Sequence, residues 1–524
     1  MVIVPKSSSR MTTTILSVCI LFMFMYSVSF LSTYYHPTSL QTPLQTPPQT
    51  PSPPKVFEQP EEEKPSAWQN EAKSIIEKAR SFIDTPIRAP YKEKFYDVGQ
   101  RTQIAREWVK FLDSAGESDD KQTVKDAVES AIGSLFPFIQ NSPKRPDSTT
   151  PFTDVRSSIE PGSRGIVIPT GKATMRYAAH LIGSLREVLH TKLAIQIVYA
   201  GDEDFPAADR ERLQARFEDV EFLDILSVLD DTTVQLATGG WAIKAFAALY
   251  SPFEEVILMD ADSVFLQVPE KLYSIPSYIS TGVLLFHDRL LWQHAFAERH
   301  EWWRSQIREP SATLNKSLVW TEDYAEEGDS GVVVIDKSRL DVLMGLLHVA
   351  WQNTHAVREE VTYVMTYGDK ESWWFGFELS GASYSFEKHY GAMVGWVRDK
   401  LSESKERICS FVIGHVDDEN GLLWYNGGLL KNKKIDAHEF GLPTHTMVDG
   451  TWEKGARRTD MSCMVGPAGK PVDEDKGGIL ERGFALYHKH YTQRIELFMK
   501  FCCLCQFWLD LGEGHAAWRL SYLC

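Results

Sequence analysis

The chain has 524 residues, and its 55 Lys and Arg stand against 71 Asp and Glu for a formal charge of −16. That length leaves room for a large core and more than one compact unit. That charge argues against a protein whose business is to grip nucleic acid by its phosphates.

Lys6 and Arg10 precede an uncharged apolar run, ILSVCILFMFMYSVSFL, from Ile15 to Leu31. It is near the lower limit for crossing a bilayer, and basic residues before it predict a cytoplasmic tail over 1–14 and an anchor over 15–33. No small-x-small cleavage site follows, which favours an uncleaved signal anchor over a signal peptide. Then comes HPTSLQTPLQTPPQTPSPPK, a Pro- and Thr-rich stretch that cannot build a core and reads as a stem over 34–65. From 66 to 150 the periodicity is helical: Ile75, Ile76, Ala79 and Phe82 recur at helix spacing, as do Val124, Ala127, Ala131 and Leu135. A breaker-rich linker over 141–164 follows, within which the body, 151–440, is expected to begin.

The body opens with GIVIPTG, a helical pattern from Met175 to His190 and a strand over Leu193 to Tyr199, the start of a parallel α/β unit. If this first strand neighbours the one ending in Asp260, then Thr170 and Gly171 offer a hydroxyl and backbone N–H groups to a nucleotide; a turn that merely needs glycine is the alternative. In GWAIKAFAALY, Lys244 sits among apolar neighbours, where an ammonium wants an anionic partner such as a donor phosphate, or else snorkels to water. Next, FEEVILMDADSVFL contains four apolar residues in a row, as in a strand buried on both faces, and stops at Asp260-Ala261-Asp262. Ligands of open α/β sheets bind beyond the carboxyl ends of strands, and two carboxylates there suit Mg²⁺ or Mn²⁺ completed by substrate phosphates and water.

Tyr278 to Asp288 reads as a further strand, and EEGDSGVVVIDK as a buried one with Asp329-Ser330-Gly331 at its entrance, where glycine lets backbone approach a ligand. GDKESWWFGFE places Asp369 and Glu371 among aromatics, a mixture that suits a sugar or, alternatively, a helix whose rings face inward. Cys409 to Gly414 reads as a strand ending at His415, which could complete a metal shell of oxygens or serve the core. The seven cysteines include Cys409 and Cys463 standing alone, and an oxidising lumen could pair some of them. Asn315-Lys316-Ser317 is a plausible glycosylation sequon. Beyond about Asp436 the signal fades, and 441–524 reads as an extension of unknown role whose apolar 497–509 run is too short for a second span.

Taken together, GWAIKAFAALY, FEEVILMDADSVFL, TGVLLFHDR, EEGDSGVVVIDK, GDKESWWFGFEL and HVDDENGLLWYNGGL, in that order, resemble the fungal α-1,3-mannosyltransferase family of the Golgi, the Mnn1-like type II membrane enzymes. The resemblance covers roughly 165–434. It implies an α/β, Rossmann-like GT-A fold, a GDP-mannose donor, Mn²⁺ or Mg²⁺, a mannose-terminated N- or O-linked glycan as acceptor, and retention of the α configuration. It also implies a lumenal body held to the Golgi membrane by one N-terminal helix. By the same resemblance Asp260 and Asp262, flanking Ala261, hold the metal against the donor diphosphate, with His415 as a third metal ligand by analogy with other retaining GT-A enzymes. Lys244 contacts the donor; Asp329, Ser330 and Gly331 line the sugar pocket; Asp369 and Glu371 are acids near the reacting carbon. Two other readings stay open, a glycogenin-like transferase using a UDP-sugar and a non-catalytic lumenal glycan-binding scaffold.

Overall fold

A computed structural model of the chain describes residues 67–116, 121–402, 404–432, 436–455, 460–467 and 469–487. The expected tail, anchor and stem, and the 497–509 run, lie outside the described residues. Among the described residues no helix is long and apolar enough to cross a membrane.

The centre is a seven-stranded sheet. Its strands are β1 (Glu160–Pro169), β2 (Ala194–Tyr199), β3 (Val220–Asp224) and β4 (Phe253–Met259). A short β5 (Ser263–Phe265) leaves that sheet, which continues with β6 (Val283–His287), β7 (Gly328–Asp336) and β8 (Ser385–Phe386). The spatial order is β3-β2-β1-β4-β7-β6-β8, with β7 antiparallel to both its neighbours and the remaining pairs parallel. This is the α/β, Rossmann-like class expected.

Alternation along the strands explains why the sheet is covered on both faces. In β4, Val256 and Leu258 join one apolar cluster and Ile257 and Met259 the other, and all four are fully buried. In β7, Val333 and Ile335 face the first and Val332 and Val334 the second. A side chain of this kind contributes about 1.5–3 kcal/mol when fully buried. The continuous apolar runs in the sequence are the signature of such two-faced burial.

The helical region is not a separate body. Helices Ala67–Asp84, Phe95–Ser114 and Lys121–Leu135 bury Ala72, Ile75, Ala79 and Phe82, then Phe95 and Val98, then Val124, Val128 and Ala131, in the same cluster as Phe246, Val256 and Val333. Phe95 alone meets Trp302, Trp351 and Phe375 at ring centroid distances of 5.0, 4.9 and 5.7 Å. The segment read as a linker contains the helix Pro151–Ser157, whose first N–H groups, at Phe152 and Thr153, donate to Glu129 at 2.9 and 3.1 Å. A carboxylate at a helix start satisfies donors that have no partner within the helix.

The expected boundary at 440 is also crossed. Strands β9 (Met393–Ser402) and β10 (Lys405–Ser410) belong to an antiparallel sheet that continues through His445–Met447, Thr451–Lys454, Ser462–Gly466 and Lys470–Pro471. Cys409 and Cys463 face each other across it and form a disulfide. The strand expected over Cys409 to Gly414 is divided, because β10 ends at Ser410 and β11 (Ile413–Val416) starts a smaller sheet with β12 (Leu422–Asn426) and β5. Likewise, the expected Tyr278 to Asp288 strand begins as a helix, Pro276–Thr281, that Gly282 ends with φ +76°.

Candidate active site

The strand order reverses between β1 and β4. From β1 the chain winds outward to β2 and β3, and β4 then returns to its other side, with Val167 level with Leu258. A crevice beyond the carboxyl ends at such a switch is where open α/β sheets bind ligands. Thr170-Gly171 and Asp260-Ala261-Asp262 end these two strands, so the condition attached to the first turn is met.

Asp260 is fixed by its backbone, whose N–H donates to the Gly331 carbonyl at 2.8 Å, and by its side chain, whose Oδ1 lies 3.0 Å from Lys244 Nζ. Lys244 is 3% exposed and therefore does not snorkel. Its ammonium donates to the Ser330 carbonyl (2.6 Å) and Oγ (2.8 Å) and also pairs with Asp369 Oδ2 at 3.1 Å. Three N–H bonds shared among four acceptors leave none for a donor phosphate. The expected donor contact is corrected accordingly: the anions that Lys244 meets are the protein's own, and its effect is to position Asp260.

Burial and the neighbouring Asp369 and Asp329 carboxylates push Asp260 above the usual carboxylate range, while Lys244 pulls the other way. Burial would strip the Lys244 proton, but Asp260 and Asp369 hold its pKa above the ordinary value. The cluster thus carries more carboxylate than ammonium, a charge balance that a divalent cation would relieve.

Asp262 faces a different partner. Its carbonyl accepts from the Gly427 N–H at 3.2 Å, and a Cβ on Gly428 would lie 3.8 Å from the Asp262 Cβ and 4.0 Å from the Tyr177 ring. Gly427 and Gly428 have φ of +129° and +78°, which explains the double glycine of WYNGGL: a side chain at either position would be strained, and at Gly427 it would also run into Val412, 2.6 Å away. This contribution was absent from the sequence-based site, although the paired glycines were visible. Ala261 between the two acids is buried.

Asp329 is a lock rather than an open acid. Oδ1 accepts from the Gly331 N–H (3.0 Å) and Asn426 Nδ2 (2.9 Å), and Oδ2 lies 3.0 Å from His415 Nε2. Burial would raise its pKa, but the bond to His415, the charges of His415 and Lys370 and the Gly331 N–H together outweigh this and hold Asp329 well below the carboxylate range. His415 stacks on Trp424 at 4.1 Å and is 2% exposed. With Nε2 turned to Asp329, His415 joins β11 to β7 and does not complete a metal shell with Asp260 and Asp262. Among the described residues no group of three or more His, Cys, Asp or Glu is arranged to hold a metal. Asp260 and Asp262 are hard-oxygen groups of the kind that Mg²⁺ or Mn²⁺ completes with substrate phosphates.

Other expectations need correction too. The Thr170 hydroxyl is 2.6 Å from Thr174 Oγ1 and the Gly171 N–H donates to that same oxygen, so the turn uses these groups internally. Gly331 permits a close approach, but the approaching groups are Asn426 and Trp424 of β12, 2.7 and 3.0 Å from a Cβ placed there. Ser330 meets Lys244, as above. Glu371 is 1% exposed and accepts from the N–H groups of Glu327 (3.1 Å) and Gly328 (3.3 Å) and from Trp374 Nε1 (2.6 Å). Burial pushes its pKa up to about 8. It anchors the start of β7 and presents no oxygen to a sugar. Asp369 does reach the cluster, bound by Lys244 and by Trp373 Nε1 at 2.9 Å. Of the aromatics around it, Trp373, Trp374, Phe375 and Phe377 belong to the core, and only Tyr367 is well exposed, beside the exposed Trp241.

An open α/β sheet with paired aspartates at its switch point, one of them held by a buried lysine, defines a Rossmann-like protein with an anionic ligand site. Residues 163–417 match the family model described as "Mannosyltransferase putative". The chain is 30% identical over 277 residues to Alpha-1,3-mannosyltransferase MNT3 of Saccharomyces cerevisiae, a match covering 46% of this chain and 43% of that one. Alpha-1,3-mannosyltransferase MNN1 of the same yeast is 26% identical, with 52% and 41% covered, and Alpha-1,3-mannosyltransferase MNT2 is 25% identical, with 57% and 58% covered. Over about half its length, then, the chain is similar to these α-1,3-mannosyltransferases, and the six sequence blocks fall within or close to the matched stretch. The chain spans about half the length of the curated relatives it matches. Among solved structures, the galactosyltransferase LgtC is similar at 15% identity and a TM-score of 0.29, covering 43% of this chain and 73% of that one. A likeness that loose bears on nothing further.

Proposed function

We propose that this protein is a GT-A-type glycosyltransferase that moves mannose from GDP-mannose to a mannose of an N- or O-linked glycan, forming an α-1,3 bond with retention. The observation that carries this reading is the Asp260 and Asp262 pair at the β1/β4 switch point, inside the stretch that matches the mannosyltransferase model. Asp260 and Asp262 would hold Mn²⁺ or Mg²⁺. Bound there, the cation would act as a Lewis acid that neutralises the charge appearing on the diphosphate as the bond to the sugar breaks.

The chain's own residues supply the rest. Lys244 holds Asp260 Oδ1 in place, so that one ligand is positioned before the donor arrives. The Gly427 N–H holds the Asp262 carbonyl at 3.2 Å and so fixes the backbone of the second acid. Asp369 lends negative charge near a sugar that becomes cationic in the transition state. Its Oδ2 is engaged by both Lys244 and Trp373, which fixes the carboxylate in place, and the transfer is read as front-face with the departing phosphate as base.

The anchor expected over 15–33 would place the body in the Golgi lumen, and the Cys409–Cys463 disulfide is in keeping with an oxidising compartment. To test the reading, the full-length protein is incubated with GDP-mannose, Mn²⁺ and methyl α-mannoside, GDP release is measured, and the product linkage is determined. Asp262→Ala is expected to lose Mn²⁺-dependent GDP binding and at least about 10²-fold in rate. Faster turnover of UDP-glucose or UDP-galactose would replace the donor assignment. A wild-type protein that binds glycan yet turns over none of the three would leave the scaffold reading.

A further inference from the structure

A cavity of about 350 Å³ lies between the loop that follows β6 and the antiparallel sheet, and nothing above uses it. Leu291 and Trp292 from the loop, Tyr324, and Thr451, Trp452 and Lys454 from the strand Thr451–Lys454 line it. Because β4 and β6 both run antiparallel to β7, the carboxyl end of β6 opens on the same edge of the sheet as Asp260. The cavity therefore lies on that edge, on the side away from β2 and β3.

Its walls have an unusual character. Trp292 is 50% exposed and its backbone is held at φ +50°, a conformation that bulky residues avoid unless the surroundings impose it. Two bonds fix the loop on either side: the Ala325 N–H donates to Leu291 O at 3.1 Å and the His294 N–H to Asp323 O at 2.8 Å. Opposite, Trp452 is buried and anchored by its Nε1–H to Gly391 O at 3.0 Å. Arg289 lies 5.8 Å over the Trp452 ring and pairs with Asp288, and Asp288 pairs with Lys370, the residue after Asp369. One chain of contacts thus links the cavity wall to the site cluster.

Three aromatic rings and the Thr451 hydroxyl among the lining residues match a pyranose, whose C–H faces stack on rings and whose hydroxyls seek polar partners; the Lys454 ammonium donates to the Asp460 carbonyl at 2.8 Å. The volume is at the small end of the range of about 300–1,000 Å³ for small-molecule sites, suiting one or two sugar rings and excluding a helix. Resting on the mannosyl-transfer reading, we propose that this cavity is the subsite for the mannose residues that precede the acceptor's terminal mannose. The protein would then recognise an α-linked oligomannoside better than a single mannose.

The test is direct binding of α-mannotriose to the full-length protein without donor, followed by ligand-observed NMR and calorimetry. The wild type is expected to bind mannotriose more tightly than methyl α-mannoside. Trp292→Ala is expected to weaken mannotriose binding about tenfold, as loss of a well-placed tryptophan does. Thr451→Trp, at an exposed strand position, is expected to weaken it similarly by filling the cavity; it decides the matter if Trp292→Ala lowers the unfolding midpoint. Unchanged binding in a folded Thr451→Trp protein, or equal binding of maltotriose and mannotriose by the wild type, overturns the proposal. No donor takes part, so a failure to turn over GDP-mannose would count against the transfer reading while this measurement still decides whether the cavity takes mannosides.

Discussion

Lys244 shows how much a single side chain depends on its surroundings. On a helix lying against a sheet, an ammonium either reaches water or meets anions, and here it meets Asp260 and Asp369 with side-chain exposures of 26% and 3%. Removing one member of a buried pair leaves the others uncompensated, a loss of about 3–5 kcal/mol. Lys244→Met is therefore expected to lower the unfolding midpoint clearly. It should also cut GDP-mannose turnover by about 10²-fold through the misplaced Asp260. An unchanged midpoint would mean that the ammonium is solvated after all. At this scale the sequence showed the need for an anionic partner but not its identity. The acids concerned lie 16 and 125 positions further on, and only the packing of three elements brings them together.

At the scale of elements, the end of the body depends on pairing that no local pattern reveals. Strand β10 takes Ser462–Gly466 as its neighbour, and Cys409 lies level with Cys463 across 54 positions of sequence. Closing a loop of that length restricts the unfolded chain by about 4 kcal/mol in the chain-entropy treatment. Cys409→Ser is expected to lose stability of that order, read as a lower urea midpoint, and the wild type should show the same drop on reduction. If the variant and the reduced wild type unfold where the oxidised protein does, the disulfide contributes nothing. The strands over 445–471 are short and polar on one face, which is why the sequence beyond 436 carried so little signal. The buried β4 and β7 were legible because four or five consecutive apolar residues have few other uses.

Across the whole molecule, the N-terminal helices and the sheet share one core, and His348 is one of the joints. It lies on the helix Leu340–Gln352, with Nε2 3.3 Å from the carbonyl of Phe95 and Nδ1 3.2 Å from the Gln352 amide nitrogen. With Gln352 donating to Nδ1, the ring proton sits on Nε2 and the imidazole is satisfied while neutral. Burial lowers its pKa from 6.5 to about 4. Above pH 6.5 both folded and unfolded chains hold it neutral, so its contribution is fully present. Between about 6.5 and 4 the unfolded chain takes up the proton and the folded chain does not, so stability falls as pH falls, by about 3 kcal/mol across the window. Urea unfolding at a series of pH values checks this, and His348→Leu is expected to remove that part of the slope. A wild-type midpoint that is flat over the window would contradict it.

By itself the sequence determined the α/β class, the buried strands and the position of Asp260 and Asp262 at a strand end, because hydrophobic period and run length are local properties. It also carried the family resemblance, since ordered blocks survive where single motifs do not. Only the tertiary structure decided which of the other candidates meet. It turned His415 and Asp329 toward each other, closed Glu371 around backbone N–H groups, gave Lys244 to the protein's own carboxylates and brought Gly427 and Gly428 beside Asp262. Those outcomes depend on which distant segments pack together and on how many hydrogen bonds each polar atom has already made, and neither is written in the spacing of residues along a chain.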